Sequence, residues 1–249
     1  MTFRRDHAAP DGPPRLAIVD LLRGLAIAQM VVYHFIYDLS HFGWLALAMT
    51  RDQPWVAWRS AIVSQFVFLV GVGLSLRSAY KPGAGDFWRR WLQVAGAALL
   101  VSAGSALMFG PRWIWFGVLH FVAVALLLGR PLQRFGAWNL LLGAALLGIG
   151  LTLKLTAFDA APWSAIGLAE RKPATEDYVP LLPWFGVVLL GLGAGTLWRR
   201  TGWQVPAGLA DLDSPPARLL RTAGRWPLTI YLLHQPVLLG ILWLVRRLV

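Results

Sequence analysis

Residues 15 to 44, RLAIVDLLRGLAIAQMVVYHFIYDLSHFGW, are apolar and long enough to cross a bilayer, yet they carry Asp20, Arg23, His34, Asp38 and His41. Take an ideal helix at ~100° per residue with Asp20 at zero. Arg23 and His41 then fall near about −60°, His34 near about −40° and Asp38 near about 0°. Five ionisable groups share one sector of about 60°, with Leu22, Leu25, Val32, Ile36 and Leu39 on the other side. A charge at bilayer depth is costly and faces a protein interior or a wet cavity. The stripe therefore marks the centre of a site on the first membrane helix.

The remaining chain sets the surroundings of that helix. It is 57% hydrophobic and 14% charged, where a soluble domain has roughly 25% charged residues. Its apolar residues come in runs of about 20, the length that spans hydrocarbon, and lack the period-two alternation of a membrane β-barrel. The expected fold is all-α: a polytopic integral membrane bundle of about seven transmembrane helices. Their expected spans are 15–40, 56–77, 91–109, 114–128, 138–157, 181–197 and 227–245. Residues 1–14 are polar and Pro-rich and read as a disordered cytoplasmic tail. Residues 15–249 form a single transmembrane domain. Within it, 158–179 is the most polar interior stretch and 198–226 reads as a basic, Pro-containing loop.

With the N-terminus inside, fourteen basic residues fall on inner segments and eight on outer ones, the bias of the positive-inside rule. The net charge of +11 then belongs to topology and lipid phosphates, not to nucleic acid. The start has no cleavable-signal character, so the first apolar run is expected to stay in the mature protein. With no cysteine, thiol catalysis, disulfides and Cys-ligated zinc are excluded; no metal is expected.

The stripe has two ends. Asp20 and Arg23 lie near the inner face; His34, Asp38 and His41 lie near the outer face. Eleven residues separate Arg23 from His34, about 16 Å of helix. His34 and Asp38 are four apart, so the carboxylate can reach the imidazole, fix its tautomer and raise its basicity. A structural ion pair between Asp20 and Arg23 is an equal reading of that end. Three further polar points need partners: His120 in FGVLHFVAV; Asp177 and Tyr178 in DYVPLLPWFGV, on the same outer side; and His234-Gln235-Pro236 in TIYLLHQPV. The last sits about two turns from the inner boundary of its helix, and Pro236 frees the Leu232 carbonyl.

The order DLLRGLA, FVFLVGVGLSL, GVLHF, DYVPLLPWFG and YLLHQP resembles bacterial relatives of heparan-α-glucosaminide N-acetyltransferase, in a wider transmembrane acyltransferase superfamily. The likeness runs from Arg15 to about Leu239. It implies an acyltransferase of the bacterial cytoplasmic (inner) membrane. Such an enzyme moves an acetyl group from cytosolic acetyl-CoA to the hydroxyl or amine of an outer-facing sugar or glycan. His34, Asp38, His41 and His120 are then the catalytic candidates, with the base left between His34 and His41. Asp20, Arg23, His234 and Gln235 belong to the acetyl-CoA side, with Arg89 and Arg90 as further holders of its phosphates. Asp177, Tyr178 and Trp184 belong to the acceptor side. Membrane lipid is the other expected partner, and a homodimer is left open.

Two other readings use the same residues. A proton-coupled transporter or permease explains intramembrane His, Asp and Arg equally well, although no internal repeat supports it. A b-type cytochrome needs histidines paired across helices at one depth. His34 and His120 match only roughly, and His234 has no evident mate, so no haem is expected.

Overall fold

A computed structural model describes residues 16–80, 84–205, 212 and 214–248. The expected tail over 1–14 lies outside the described residues. The chain forms eight α-helices among them: α1 (Ala17–His41), α2 (Gln53–Tyr80), α3 (Ala84–Phe109), α4 (Val118–Leu132), α5 (Asn139–Thr152), α6 (Leu181–Arg200), α7 (Pro215–Arg225) and α8 (Pro227–Leu248). Six helical stretches are long and apolar enough to cross a membrane. The protein is a multi-pass helical membrane bundle, as its apolar runs predict.

One of those stretches, Val118–Thr152, is 35 residues long and folds back on itself. Gly136, at φ 53°, turns the chain between α4 and α5; a left-handed backbone suits glycine because it has no Cβ. Asn139, fully buried, donates to the Leu132 and Gly136 carbonyls at 2.9 Å and ties the turn. Side contacts give the directions. α4 and α6 begin together, where Val118 N–H donates to the Asp177 carboxylate, and end together, where Gly136 meets Thr196. α5 runs the opposite way, with Gly150 against Pro183 and Gly193 against Leu140. The chain thus passes between its two faces seven times, as expected. We call the face at which α1 begins the near face and the other the far face.

α6 is the hub. Its Phe185, Val188, Leu189 and Leu192 pack with Val67 and Leu74 of α2 and Phe121 and Ala125 of α4 in the main buried cluster. Lipid offers no hydrophobic drive for this association, so small residues that let backbones touch must supply it. A Cβ on Gly191 would stand 2.1 Å from the Phe68 carbonyl oxygen, and one on Gly186 would stand 2.6 Å from that of Gly143. The glycine-rich run in α6 therefore admits α2 on one side and α5 on the other.

The expected loop over 198–226 is corrected in its last third: Pro215–Arg225 is α7. Ser214 precedes Pro215 and Pro216, the favoured start of a helix, and Arg218, Arg221 and Arg225 share its polar side. α7 lies antiparallel on the near half of α1. A Cβ on Gly24 would meet the Leu220 carbonyl at 1.8 Å, and one on Gly224 the Asp20 carbonyl at 1.8 Å. α8 follows after the single residue Trp226 and meets α1 farther along its length. His234 is seven residues into α8 and His34 is seventeen into α1, yet their rings touch. The ten-residue offset is about 15 Å. His234 therefore stands at the depth of His34, not two turns from the near boundary.

Gly191→Ala should destabilise the bundle by about 1–3 kcal/mol through overpacking against α2. Gly148→Ala, whose Cβ meets nothing within 4 Å, should be neutral or stabilising by up to ~1 kcal/mol from helix propensity. Thermal melts in detergent, followed by tryptophan fluorescence, compare the two.

Candidate functional site

The polar stripe of α1 faces inward on a cavity of about 2380 Å³ that runs through the bundle from one face toward the other. This exceeds the ~300–1,000 Å³ of ordinary ligand pockets. Its walls carry three groups of polar side chains at three depths.

The near group is cationic. Among the described residues, Arg23, Arg77, Arg90 and Arg225 line this end of the cavity with one carboxylate, Asp20. Asp20 is 7% exposed and accepts from Arg23 at 3.3 Å, with Arg225 of α7 at 3.9 Å. The ion pair expected within α1 is present, and α7 adds a second arginine to it. Arg77 Nη1 is buried with no hydrogen-bond partner among the described residues. Guanidinium groups outnumber carboxylates among the described residues that line this end of the cavity. Arg89 does not line it.

The middle group joins α1 to α8. His34 and His234 meet with ring centroids 5.0 Å apart and planes at 64°. Asp38, 1% exposed, accepts a hydrogen bond from Gln235 Nε2 at 2.8 Å. The expected His34–Asp38 hydrogen bond does not form; Gln235 takes that carboxylate oxygen instead. His234 Nδ1 lies 2.6 Å from the Tyr231 carbonyl. A carbonyl only accepts, so Nδ1 carries the proton and Nε2 is left with its lone pair. His34 Nδ1, Asp38 Oδ2, His234 Nε2 and Gln235 Oε1 are all buried without a partner among the described residues. Four such atoms around one contact are expensive in a bundle interior and mark a place built for something other than packing. The mate that His234 lacked in the sequence is His34. Direct edge contact between the rings leaves no room for a macrocycle between them.

The far group comes from the loops and the first turns of α2. Arg59, Arg112, Lys154, Lys172, Glu176 and Asp177 line the far part of the cavity. The loop before α6 is stitched to the α3–α4 connector. Arg112 pairs with Glu176 at 3.0 Å, Thr175 Oγ1 donates to the Trp113 carbonyl, and Val179 N–H donates to that of Phe116. Burial pushes the Asp177 carboxyl up, against the opposing pull of the Val118 N–H, Lys172 and Arg59. Burial likewise lowers the Lys172 ammonium, with Arg59 adding to it.

His41 lines the cavity but is exposed at the end of α1. His120 is away from the cavity wall. Its Nδ1 accepts from Gly117 N–H at 3.3 Å, so its Nε2 holds the proton and donates to Ser102 Oγ at 2.9 Å, which donates to the Ile114 carbonyl. Both ring nitrogens are used to hold α3 to the start of α4. Asp177 spans two tasks, since it lines the cavity and also holds the first free N–H of α4. Tyr178 donates to the Ser164 carbonyl at 2.6 Å, and Trp184 packs on the main core at the cavity edge. Arg77, Arg225 and Tyr231 are site residues that the sequence did not reveal. Arg77 has the pattern of an ordinary helix-end cation, and Arg225 is hidden with α7.

Fold and site together define a multi-pass membrane protein whose buried titratable groups open onto one cavity between its faces. Residues 15–236 match the profile of the family described as heparan-alpha-glucosaminide N-acetyltransferase, catalytic. The chain belongs to that family of membrane acetyltransferases. No curated protein and no solved structure gives a match.

Burial raises the Tyr178 phenol to about 12 from an ordinary ~10. The fold therefore favours the neutral, donating form. That stability should be complete below pH ~10 and be lost as pH rises through about 12. Thermal midpoints measured across this window should fall in the parent protein, with a shallower fall in Tyr178→Phe.

Proposed function

We propose that this protein transfers the acetyl group of acetyl-CoA, bound from the cytoplasm, to a hydroxyl or amine presented from the opposite side of the bacterial cytoplasmic membrane. The observation that carries this reading is the order of chemistry along one cavity. A cluster of arginines opens at the near face, and a buried pair of histidines stands deeper, about 16 Å from Arg23 along α1. The positive-inside bias supports a cytoplasmic near face. Arg23, Arg77, Arg90 and Arg225 suit the phosphates of CoA, since guanidinium groups bind phosphate oxygens in pairs. The extended pantetheine arm then carries the thioester to the level of His34 and His234.

The reaction needs a base, a route for the leaving thiolate and donors for the oxyanion. The acceptor O–H or N–H attacks the thioester carbonyl carbon, and its proton passes to the unprotonated Nε2 of His234. Collapse of the tetrahedral intermediate breaks the C–S bond, and the same proton returns to the CoA sulfur. His34, in contact with His234, shares this proton, and the Tyr231 carbonyl keeps the imidazole in the reactive tautomer. Gln235 fixes Asp38 beside the pair, where its free oxygen balances the transient imidazolium. Arg59, Lys172 and Trp184 lie on the acceptor side.

Proteoliposomes with acetyl-CoA on the arginine side and hexosamine acceptors on the other test this directly. The chain has no cysteine, so released CoA thiol can be titrated without background. His34→Ala and His234→Ala should each reduce transfer by about 10²–10⁴-fold, the usual contribution of a positioned acid–base group, with acetyl-CoA still bound. Arg77→Ala should instead weaken acetyl-CoA binding on the order of tenfold, the loss of about 1.4 kcal/mol. Proton flux through the protein without CoA release would overturn the reading in favour of a permease.

A further inference from the structure

The cavity has a side as well as two ends. Ala97, Ala98 and Val101 of α3 pack against Leu228, Tyr231 and Leu232 of α8. Beyond this contact, toward the far face, both helices still line the cavity. α3 contributes Gly104 and Met108, and α8 contributes Pro236, Gly240 and Trp243. A Cβ on Gly104 or on Gly240 would meet nothing within 4 Å. Met108 is 60% exposed and Trp243 is 50% exposed, although both also face the cavity. Leu100 and Leu233, at the level of the packed contact, share both properties, but beyond that contact no cluster among the described residues joins the two helices. The far halves of α3 and α8 thus flank a slot. Its lower limit is the Tyr231–Leu232 contact, one turn from His234. Its edges are apolar, with glycine at Gly104 and Gly240, and the groups behind it are Asp38, Gln235 and the two histidines.

We propose that the acceptor is carried on a lipid of the far leaflet and reaches His34 and His234 sideways, through the slot between α3 and α8. This rests on the transfer reading above and adds the class of acceptor: an amphiphile with a hydroxyl- or amine-bearing headgroup. The edge chemistry favours this occupant. A slot within the apolar belt faces hydrocarbon, so a fully polar acceptor would have to leave water to use it, which is costly. An amphiphile leaves its tail in the leaflet and moves only its headgroup inward. Gly104 and Gly240 leave the width that such a headgroup needs, and the slot opens at the depth where the unpartnered polar atoms lie.

Because the parent chain has no cysteine, Gly104→Cys and Gly240→Cys each report on the slot alone. In proteoliposomes, N-pyrenylmaleimide, which dissolves in the bilayer, should label both thiols faster than a sulfonated maleimide in the water. Faster labelling by the water-borne reagent would overturn the proposal, whether or not transfer is ever detected. In the catalytic arm, octadecyl glucosaminide in the bilayer is compared with free glucosamine. The lipid-borne acceptor should be preferred on the order of tenfold or more in kcat/KM. Gly104→Trp and Gly240→Trp should remove that preference while acetyl-CoA binding and the thermal midpoint are kept. An unchanged preference in both tryptophan variants would reject the lateral route. Failure of the parent protein to acetylate either acceptor would refute the transfer reading instead, with the labelling result still deciding the slot.

Discussion

A carboxylate that is 1% exposed inside a membrane bundle must be answered by donors. Asp38 is answered by Gln235 of α8 and by little else. This one contact fixes the rotation and depth of α8 on α1, because a Gln side chain cannot reach from another turn. His234 precedes Gln235 and is thereby brought against His34. Tyr231, three residues earlier, is held between the far loop, through the Asp177 carboxylate, and the His234 ring, through its own carbonyl. The polar pairing between the first and last membrane helices thus sets the geometry of the middle of the cavity.

The rest of the bundle leaves that pair room. α6 draws α2, α4 and α5 into a tight half through glycine contacts and the buried cluster around Leu189. α3 and α8 belong to the looser half, where the cavity lies. Dense packing on one side and an open interior on the other are compatible because backbone contact, not apolar area, holds helices together in lipid. A protein of this class can therefore hold a large polar cavity without losing its fold.

Much of this was legible in residues 15–44, where periodicity alone put five ionisable groups on one face. The seven passes and the ion pair at Asp20 came from run lengths and spacing. The partners did not. Spacing along one helix suggested that Asp38 would hold His34, since i,i+4 neighbours meet. The carboxylate turned to another helix instead, and no feature local to α1 could reveal that. His120 resembled the histidines of the stripe, but Ser102 on α3 and the Gly117 N–H consume both of its ring nitrogens. Neither partner could be assigned before the packing of α3 on α4 was known. α7 had a visible signature in Ser214-Pro215-Pro216 with Ala217, Leu220 and Gly224 beyond it. It was masked because charge and proline dominate the stretch.

The short helix α7 has an effect out of proportion to its eleven residues. It runs back along the near half of α1, so that its last residues, Gly224 and Arg225, meet Asp20 just before α8 begins. It is in effect a mooring, which ties the start of α8 to the arginine end of the cavity through the single residue Trp226. The spacing between the cationic end and the histidine pair is set along α1, which carries both Arg23 and His34; the basic segment adds Arg225 to the first and anchors the helix that brings His234 to the second.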